Sequence, residues 1–285
     1  MLFGKAKRFT AFIIPNQVRQ EIEEKGLISY CFYQAKRFSE IIFSKLVEMN
    51  APLFSWIDNW MFSASKKRLQ RHLDKEKSLE DVLSTCENYV GYWYYKTIRA
   101  YQIPYEIKTL LNEVKKNGAA VILDIGTFDG GTLYLWTRFL ESQKIITIDL
   151  PFPYGYPSEK TKLFRLFDPD KELHFVHGCS FSNETVNKVS KTLKGDKIDF
   201  LFIDGDHSYE GARKDFEQYK PLVRDGGIIA LHDIVSNRYG VSKLWNEIKH
   251  KYVSKEIIAT KQEMRAYARS FLDKQGWGGI GVLYV

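Results

Sequence analysis

Cysteine is scarce in this chain: Cys31, Cys86 and Cys179 are the only three in 285 residues, and no CxxC spacing occurs. An odd, scattered set excludes a disulfide framework and a zinc site of the CxxC kind, and it points to reduced thiols in a reducing compartment. Uncharged apolar runs of membrane-spanning length are missing as well. The opening MLFGKAKRFTAFIIPNQ is basic, but its apolar run AFIIP is too short for a secretory h-region. The expectation is a soluble, cytoplasmic protein with no transmembrane segment. Internal repeats and low-complexity stretches are also lacking, so the length fits one generous domain, or one domain with an extension.

Apolar residues make up 44%, enough for a real core, and aromatic residues 15%, crowded early, as in Tyr89, Tyr92, Trp93, Tyr94 and Tyr95. Net charge is +7, and residues 1–80 hold 14 Lys/Arg against 9 Asp/Glu. That excess suits weak peripheral contact with a membrane or another anionic partner, or it is simply a solvated helix face.

The chain changes texture near residue 102. Residues 1–102 read as a helical N-terminal region. Ile22, Leu27, Tyr30, Phe38, Ile41, Ile42 and Leu46 fall at helical spacing, with Gly26 as an interruption. Pro52 suits a helix start, and Ser78 with Asp81 suits a capping box. Residues 103–285 alternate instead. Pro104 opens a helix, and the apolar runs AAVILDIG, KIITIDL, LHFVHG, IDFLFIDG, GGIIALHDI, EIIAT and GGIGVLYV alternate with amphipathic helical stretches. Residues 261–274 read as a short helix or a loop. This alternation predicts βαβ units and a mostly parallel sheet covered on both faces.

Two stretches carry chemistry. In VILDIGTFDGGT, positions 121–132, a strand ends in Asp124 and bends at Gly126, Gly130 and Gly131 into a helix whose free amides suit an anionic group such as a carboxylate. The spacing is Asp-x-Gly-x-x-x-Gly, not the dinucleotide GxGxxG. An acid there repels a pyrophosphate and suits an ammonium, which favours S-adenosylmethionine over NAD; a merely structural turn is the plain alternative. Asp149 closes the next strand 25 residues later, where a carboxylate accepts ribose hydroxyls or caps the strand. Gly178, Cys179 and Ser180 follow the third strand, where an adenine would be flanked, and Ser180 equally suits a cap on the next helix.

The second stretch is IDFLFIDGDHSYEG, positions 198–211, which delivers Asp204, Asp206 and His207 in a tight turn. His207 suits a base for a hydroxyl nucleophile, or a loop-fixing hydrogen bond. The fifth strand ends in His232 and Asp233, which should stand beside Asp204. Asp204 and Asp233 either hold a divalent cation such as magnesium or cap strand ends. His174, His177 and His250 read as structural or exposed.

LDIGTFDGGT, FLFIDGDHSYEGARKDFEQYKPLVRDGGIIALHDI and GGIGVLYV together resemble the class I S-adenosylmethionine-dependent methyltransferases, in particular the methyltransferase-24 group with its sugar and macrolide O-methyltransferases and cephalosporin hydroxylase-like proteins. The resemblance runs from about Ile103 to Val285. It implies an α/β, Rossmann-like three-layer sandwich, a seven-stranded mostly parallel sheet with an antiparallel last strand, here with a helical N-terminal extension. It implies cofactor contacts by Asp124, Gly126, Thr127, Gly130, Asp149, the Gly178–Cys179–Ser180 turn and Asp204. It implies catalysis by His207 with Asp204, and metal ligation by Asp204 and Asp233. Two departures stand out. His232 occupies a position where metal-dependent relatives often carry an acid, so it is either a ligand or a sign that the metal is missing. Cys179 occupies a position where many relatives carry Asp, so the adenine amino contact is absent or moved. The expected activity is O-methylation of a small molecule such as a sugar or glycolipid, with no nucleic acid partner. A non-catalytic S-adenosylmethionine-binding assembly protein and a nicotinamide enzyme are the other readings. The resemblance does not extend to residues 1–102; a lid, a dimer contact within a homo-oligomer and an acceptor-binding cap are the roles they suit.

Overall fold

The computed structural model describes residues 39, 42, 52–152, 154–235, 239–267 and 278–285. The helical pattern read over residues 22–46 therefore lies almost wholly outside the described residues. Helix α1 spans Pro52–Leu73 and α2 Leu79–Asn88. A short turn at Trp93–Tyr95 and helix α3, Pro104–Asn117, lead into the sheet. The strands are β1 Val121–Ile125, β2 Lys144–Asp149, β3 Glu172–His177, β4 Ile198–Ile203, β5 Val223–His232, β6 Val253–Ile257 and β7 Ile280–Tyr284. The helices among them are α4 Gly131–Phe139, α5 Thr161–Phe164, α6 Asn183–Leu193, α7 Tyr209–Tyr219, α8 Val241–Ile248 and α9 Lys261–Tyr267.

One sheet takes all seven strands in the order β3-β2-β1-β4-β5-β7-β6, with β7 antiparallel to both neighbours and every other pairing parallel. The central strands β1, β2 and β4 are apolar at most successive positions because each face packs on helices. Ile122, Phe200, Phe202 and Ile228 face a core with α2, α3 and α4, while Leu123, Leu201 and Ile229 face one with α6, α7 and α8. Asp199, the polar exception in β4, sits at the amino edge and accepts the Ala120 and Val121 amides at 2.9 and 2.7 Å.

One compact unit spans Asn59–Val285. Leu69, Val82, Tyr95 and Ile98 are buried in the same core as strand residues of β1 and β4. Glu76, between α1 and α2, accepts from Tyr134 and from Arg138 Nε (3.0 Å) on α4. The Ser78/Asp81 capping box forms as expected. The cap of α6 is Ser182, which accepts from the Thr185 amide, and not Ser180. The expected strand EIIAT begins earlier, at Val253. Its register is set by antiparallel pairing from Val253 opposite Tyr284 to Ile257 opposite Ile280, and the Ala259 amide goes instead to Glu106 at 2.9 Å. Among the described residues, no helix is long and apolar enough to cross a membrane.

Candidate functional site

Because β1, β2, β4 and β5 run parallel in close register, their carboxyl ends line one edge. Ile125 pairs with Ile148 and Ile203, and Ile203 with Leu231, so Asp149, Asp204, His232 and Asp233 arrive together. This edge, where β2 and β4 flank β1 and the strand order reverses, is where open α/β sheets bind ligands.

Gly126 adopts φ +101°, and a β-carbon there would collide with the Asp204 carbonyl. Gly130, at φ +84°, packs its α-carbon on the Phe164 ring and precedes the first residue of α4. Only glycine meets both demands at each place. Between them Phe128 holds φ +43°, exposed, and donates its amide to Asp149 Oδ2 at 2.5 Å; Asp149 Oδ1 accepts from the Leu150 amide at 2.7 Å. Burial pushes the Asp149 carboxyl up to about 6.

Asp124 is fully enclosed. Trp136 Nε1 donates to one oxygen at 3.1 Å, and the Thr132 and Thr147 hydroxyls donate to the other at 3.2 Å each. Burial raises it to about 7 despite those donors. Thr127 is enclosed as well, with its hydroxyl against Thr147 and the Ile148 carbonyl. Both side chains are engaged within the protein and hold the shape of the turn, whereas Asp149 retains access to solvent.

The turn after β3 lies beside Asp149, whose carbonyl accepts the Gly178 amide at 2.9 Å. Cys179 is half-buried. The Ser180 carbonyl accepts the Tyr219 hydroxyl at 2.5 Å.

Four polar side chains meet beyond β4 and β5. Asp204 Oδ1 faces His232 Nδ1 at 3.0 Å, and its Oδ2 accepts from Gln102 Nε2 at 2.6 Å. His207 Nδ1 lies 2.7 Å from Asp233 Oδ2, and its Nε2 lies 3.8 Å from Asp204 Oδ1. Asp233 Oδ1 accepts from the Gly278 amide at 2.8 Å. Asp204, His232 and Asp233 each offer a ligand atom within 4.8 Å of the others. Burial works against a charged His232, but the charges of Asp204 and Asp233 outweigh it and push the imidazole up to about 9. His207 is likewise raised against its burial, chiefly by the Asp233 hydrogen bond, and Asp233 is lowered against its own burial by the His232 and His207 charges. Asp206 stays out of the cluster; it is exposed and accepts from the Ser208 amide at 2.8 Å.

Sequence reasoning missed a strap that crosses this edge. The backbone of Arg99 and Ala100 packs on Gly131. Tyr101 donates to Asp129 at 2.8 Å, and Gln102 reaches Asp204. Glu106, fully buried, accepts the Ala259 and Gly279 amides at 2.9 Å each. The Tyr239 ring also lies 4.6 Å from the His207 ring.

Residues 123–234 match the family model described as a methyltransferase domain, Methyltransf_24, so the resemblance read from the sequence holds over that stretch. A curated relative, uncharacterized protein R132 of Acanthamoeba polyphaga mimivirus, is 29% identical over 140 residues, which cover 47% of this chain and 59% of that protein. The chain thus spans little more than half the length of that relative. Among solved structures, the O-methyltransferase from Bacillus cereus in complex with SAH is 19% identical, with TM-score 0.50 and coverage of 74% of this chain and 93% of that one. The O-methyltransferase TomG from Streptomyces achromogenes, solved with SAM, is 16% identical, with TM-score 0.48 and coverage of 74% and 90%. The seven-stranded sheet with its antiparallel β7 is the Rossmann-like methyltransferase fold.

Proposed function

We propose that this protein transfers the methyl group of S-adenosylmethionine to a hydroxyl oxygen of a small acceptor. The observation that carries the reading is the meeting, on one sheet edge, of the glycine turn and Asp149 with the His207–Asp233 pair. A half-buried carboxylate at the end of β2 suits paired ribose hydroxyls. A ribose there puts the attached base over the neighbouring Gly178–Cys179–Ser180 turn. Asp124 and Thr127 act at one remove by fixing the turn from Gly126 to Gly130, whose Gly126, Phe128 and Gly130 amides are themselves taken up by the Ile148 carbonyl, Asp149 and the Thr127 carbonyl.

S-adenosylmethionine supplies the electrophilic methyl group. Asp233 holds the His207 ring through Nδ1, which leaves Nε2 to take the acceptor's hydroxyl proton as the oxygen attacks. Asp204 stands across from that nitrogen and orients the acceptor. The donor spacing suits one cation: His232 Nδ1 is 3.0 Å from Asp204 Oδ1 and 3.6 Å from Asp233 Oδ1, and ligands at ~2.1 Å from a common ion stand about 3 Å apart. A divalent ion held by Asp204, His232 and Asp233 would lower the acceptor hydroxyl's pKa; an imidazole in the set favours a transition ion over magnesium.

The test is incubation with methyl-labelled S-adenosylmethionine and fractionated cell extract, with and without a chelator. Label in an alkali-stable ether of a small molecule supports the reading, and loss under chelation supports the ion. Binding of S-adenosylhomocysteine with no label transferred to any fraction would favour the assembly-protein reading instead.

A further inference from the structure

Helix α1 buries one side and turns the other to solvent. Ser65 and Leu69 are enclosed. Trp60, with Lys67 and Arg71 seven and eleven residues further on, forms the opposite stripe, and all three are exposed. Trp60 is 54% exposed, unusual for a side chain whose large apolar ring favours the interior. The loop after α2 lies alongside. The Tyr92 ring stands 5.6 Å from the Trp60 ring. Arg68 fixes that loop: its guanidinium lies 4.3 Å from the centre of the Tyr92 ring and donates to the Val90 carbonyl at 2.9 Å and the Tyr92 hydroxyl at 2.6 Å. Held in this way, Val90 is 52% and Trp93 41% exposed. Two indoles and an aliphatic side chain thus share one solvent-facing patch, the kind of surface that marks an interaction site.

The charge of this face has one sign. No acid occurs between Asp58 and Asp74 or between Glu87 and Glu106, while those two stretches hold six Lys/Arg. The whole chain carries +7, so nearly all of its excess sits here. An ordinary solvated face interleaves acids with bases and keeps its indoles inside.

We propose that this face docks on an anionic lipid surface, with Trp60, Tyr92 and Trp93 at headgroup level and Lys67, Arg71 and Lys96 against the acidic headgroups. Indole and phenol rings have an apolar body and a polar edge, which suits that boundary. A second copy of the chain would set like charge against like charge. A nucleic acid would want guanidinium forks free for phosphates, but the Arg68 fork is committed within the protein, and Val90 offers a base nothing to pair with. The face also adjoins the ligand-binding edge: the Tyr94 ring lies 6.2 Å from that of Phe152, in the loop after β2.

The test is sedimentation of the intact protein with phosphatidylcholine vesicles, with and without phosphatidylserine, at physiological ionic strength. The protein should partition onto the acidic vesicles and be released by high salt. Each basic side chain near such a surface is worth about fivefold. Lys67→Gln with Arg71→Gln should therefore lower partitioning about 25-fold. Trp60→Ala should weaken it further and reduce the blue shift of the bound protein's fluorescence. Lys188→Gln with Lys191→Gln removes the same charge from α6, which packs on the other face of the sheet, and should change partitioning little. No sedimentation with acidic vesicles, equal partitioning onto neutral ones, or equal losses in the two double variants would overturn the proposal. So would a single-stranded oligonucleotide that binds more tightly than the vesicles and displaces them. The cofactor reading stands or falls separately, on binding of S-adenosylhomocysteine.

Discussion

Asp215→Asn, on the buried stripe of α7, should change how stability depends on pH. In the folded protein burial is the main force on this carboxyl, with the Asp206 charge adding to it and Ser180 opposing, and the result lies at about 7 against 3.8 for an ordinary aspartate. The folded state therefore keeps a proton that the unfolded chain gives up above pH 4. The favourable contribution is complete below the unfolded value and is lost as pH rises through the folded one. A shift of about 3 units corresponds to ~4 kcal/mol over the whole range. Between about pH 5 and about pH 8 roughly 2 units of it remain, or ~3 kcal/mol. Asp124 and Asp149, raised in the same direction, tilt the wild type further. They are present in both proteins, so the difference between wild type and variant isolates Asp215. Urea unfolding followed by tryptophan fluorescence at the two pH values should show the variant gaining ~3 kcal/mol relative to wild type at the higher one. An equal difference at both values would refute a buried, donor-poor carboxylate at this place.

His207→Gln should lower methyl transfer about 10²- to 10⁴-fold, the usual worth of a general base, while calorimetry finds S-adenosylhomocysteine binding unchanged. Gly126→Ala should lower the unfolding temperature, because a β-carbon meets the Asp204 carbonyl at φ +101°, with ~1–3 kcal/mol of backbone strain before any clash; wild-type melting would count against the tight turn. Gln102→Ala leaves Asp204 Oδ2 without its 2.6 Å donor and should cost ~1–3 kcal/mol in chemical unfolding, whereas no loss would mean that the contact is idle. Extraction with a chelator should abolish label transfer, and added manganese should restore it; full activity after extraction would remove the ion from the reading.

The sheet was legible because buried parallel strands leave nearly continuous apolar runs, as β1, β2, β4 and the second half of β5 do. The placement of Asp149, Asp204, His232 and Asp233 followed from the same logic, since each closes a strand or directly follows one. Partners were less legible. Nothing in the spacing of Gln102, between an aromatic stretch and Pro104, marks it as a neighbour of Asp204 some hundred residues later in the chain. Ser180 and Ser182 both suit a cap, and only the position of the Thr185 amide decides between them. Asp124 looked like a ligand group because sequence shows an acid at a strand end; it does not show Trp136 one helix further on taking up its oxygen. Asp215 did leave a trace, an acid three residues after Ala212 and four before Tyr219 on an inward stripe.

The strap from Arg99 to Glu106 bears on how portable the catalytic unit is. Its residues precede the matched stretch 123–234, yet they dock against Gly131 at the start of α4, the carboxylate after β4 and the approach to β7. Excising the chain at residue 103 would leave the sheet whole on paper while stripping Asp204 of its amide donor and α4 of its backing at Gly131. Grafting residues 103–285 alone onto another scaffold should transplant the strand order and forfeit the chemistry.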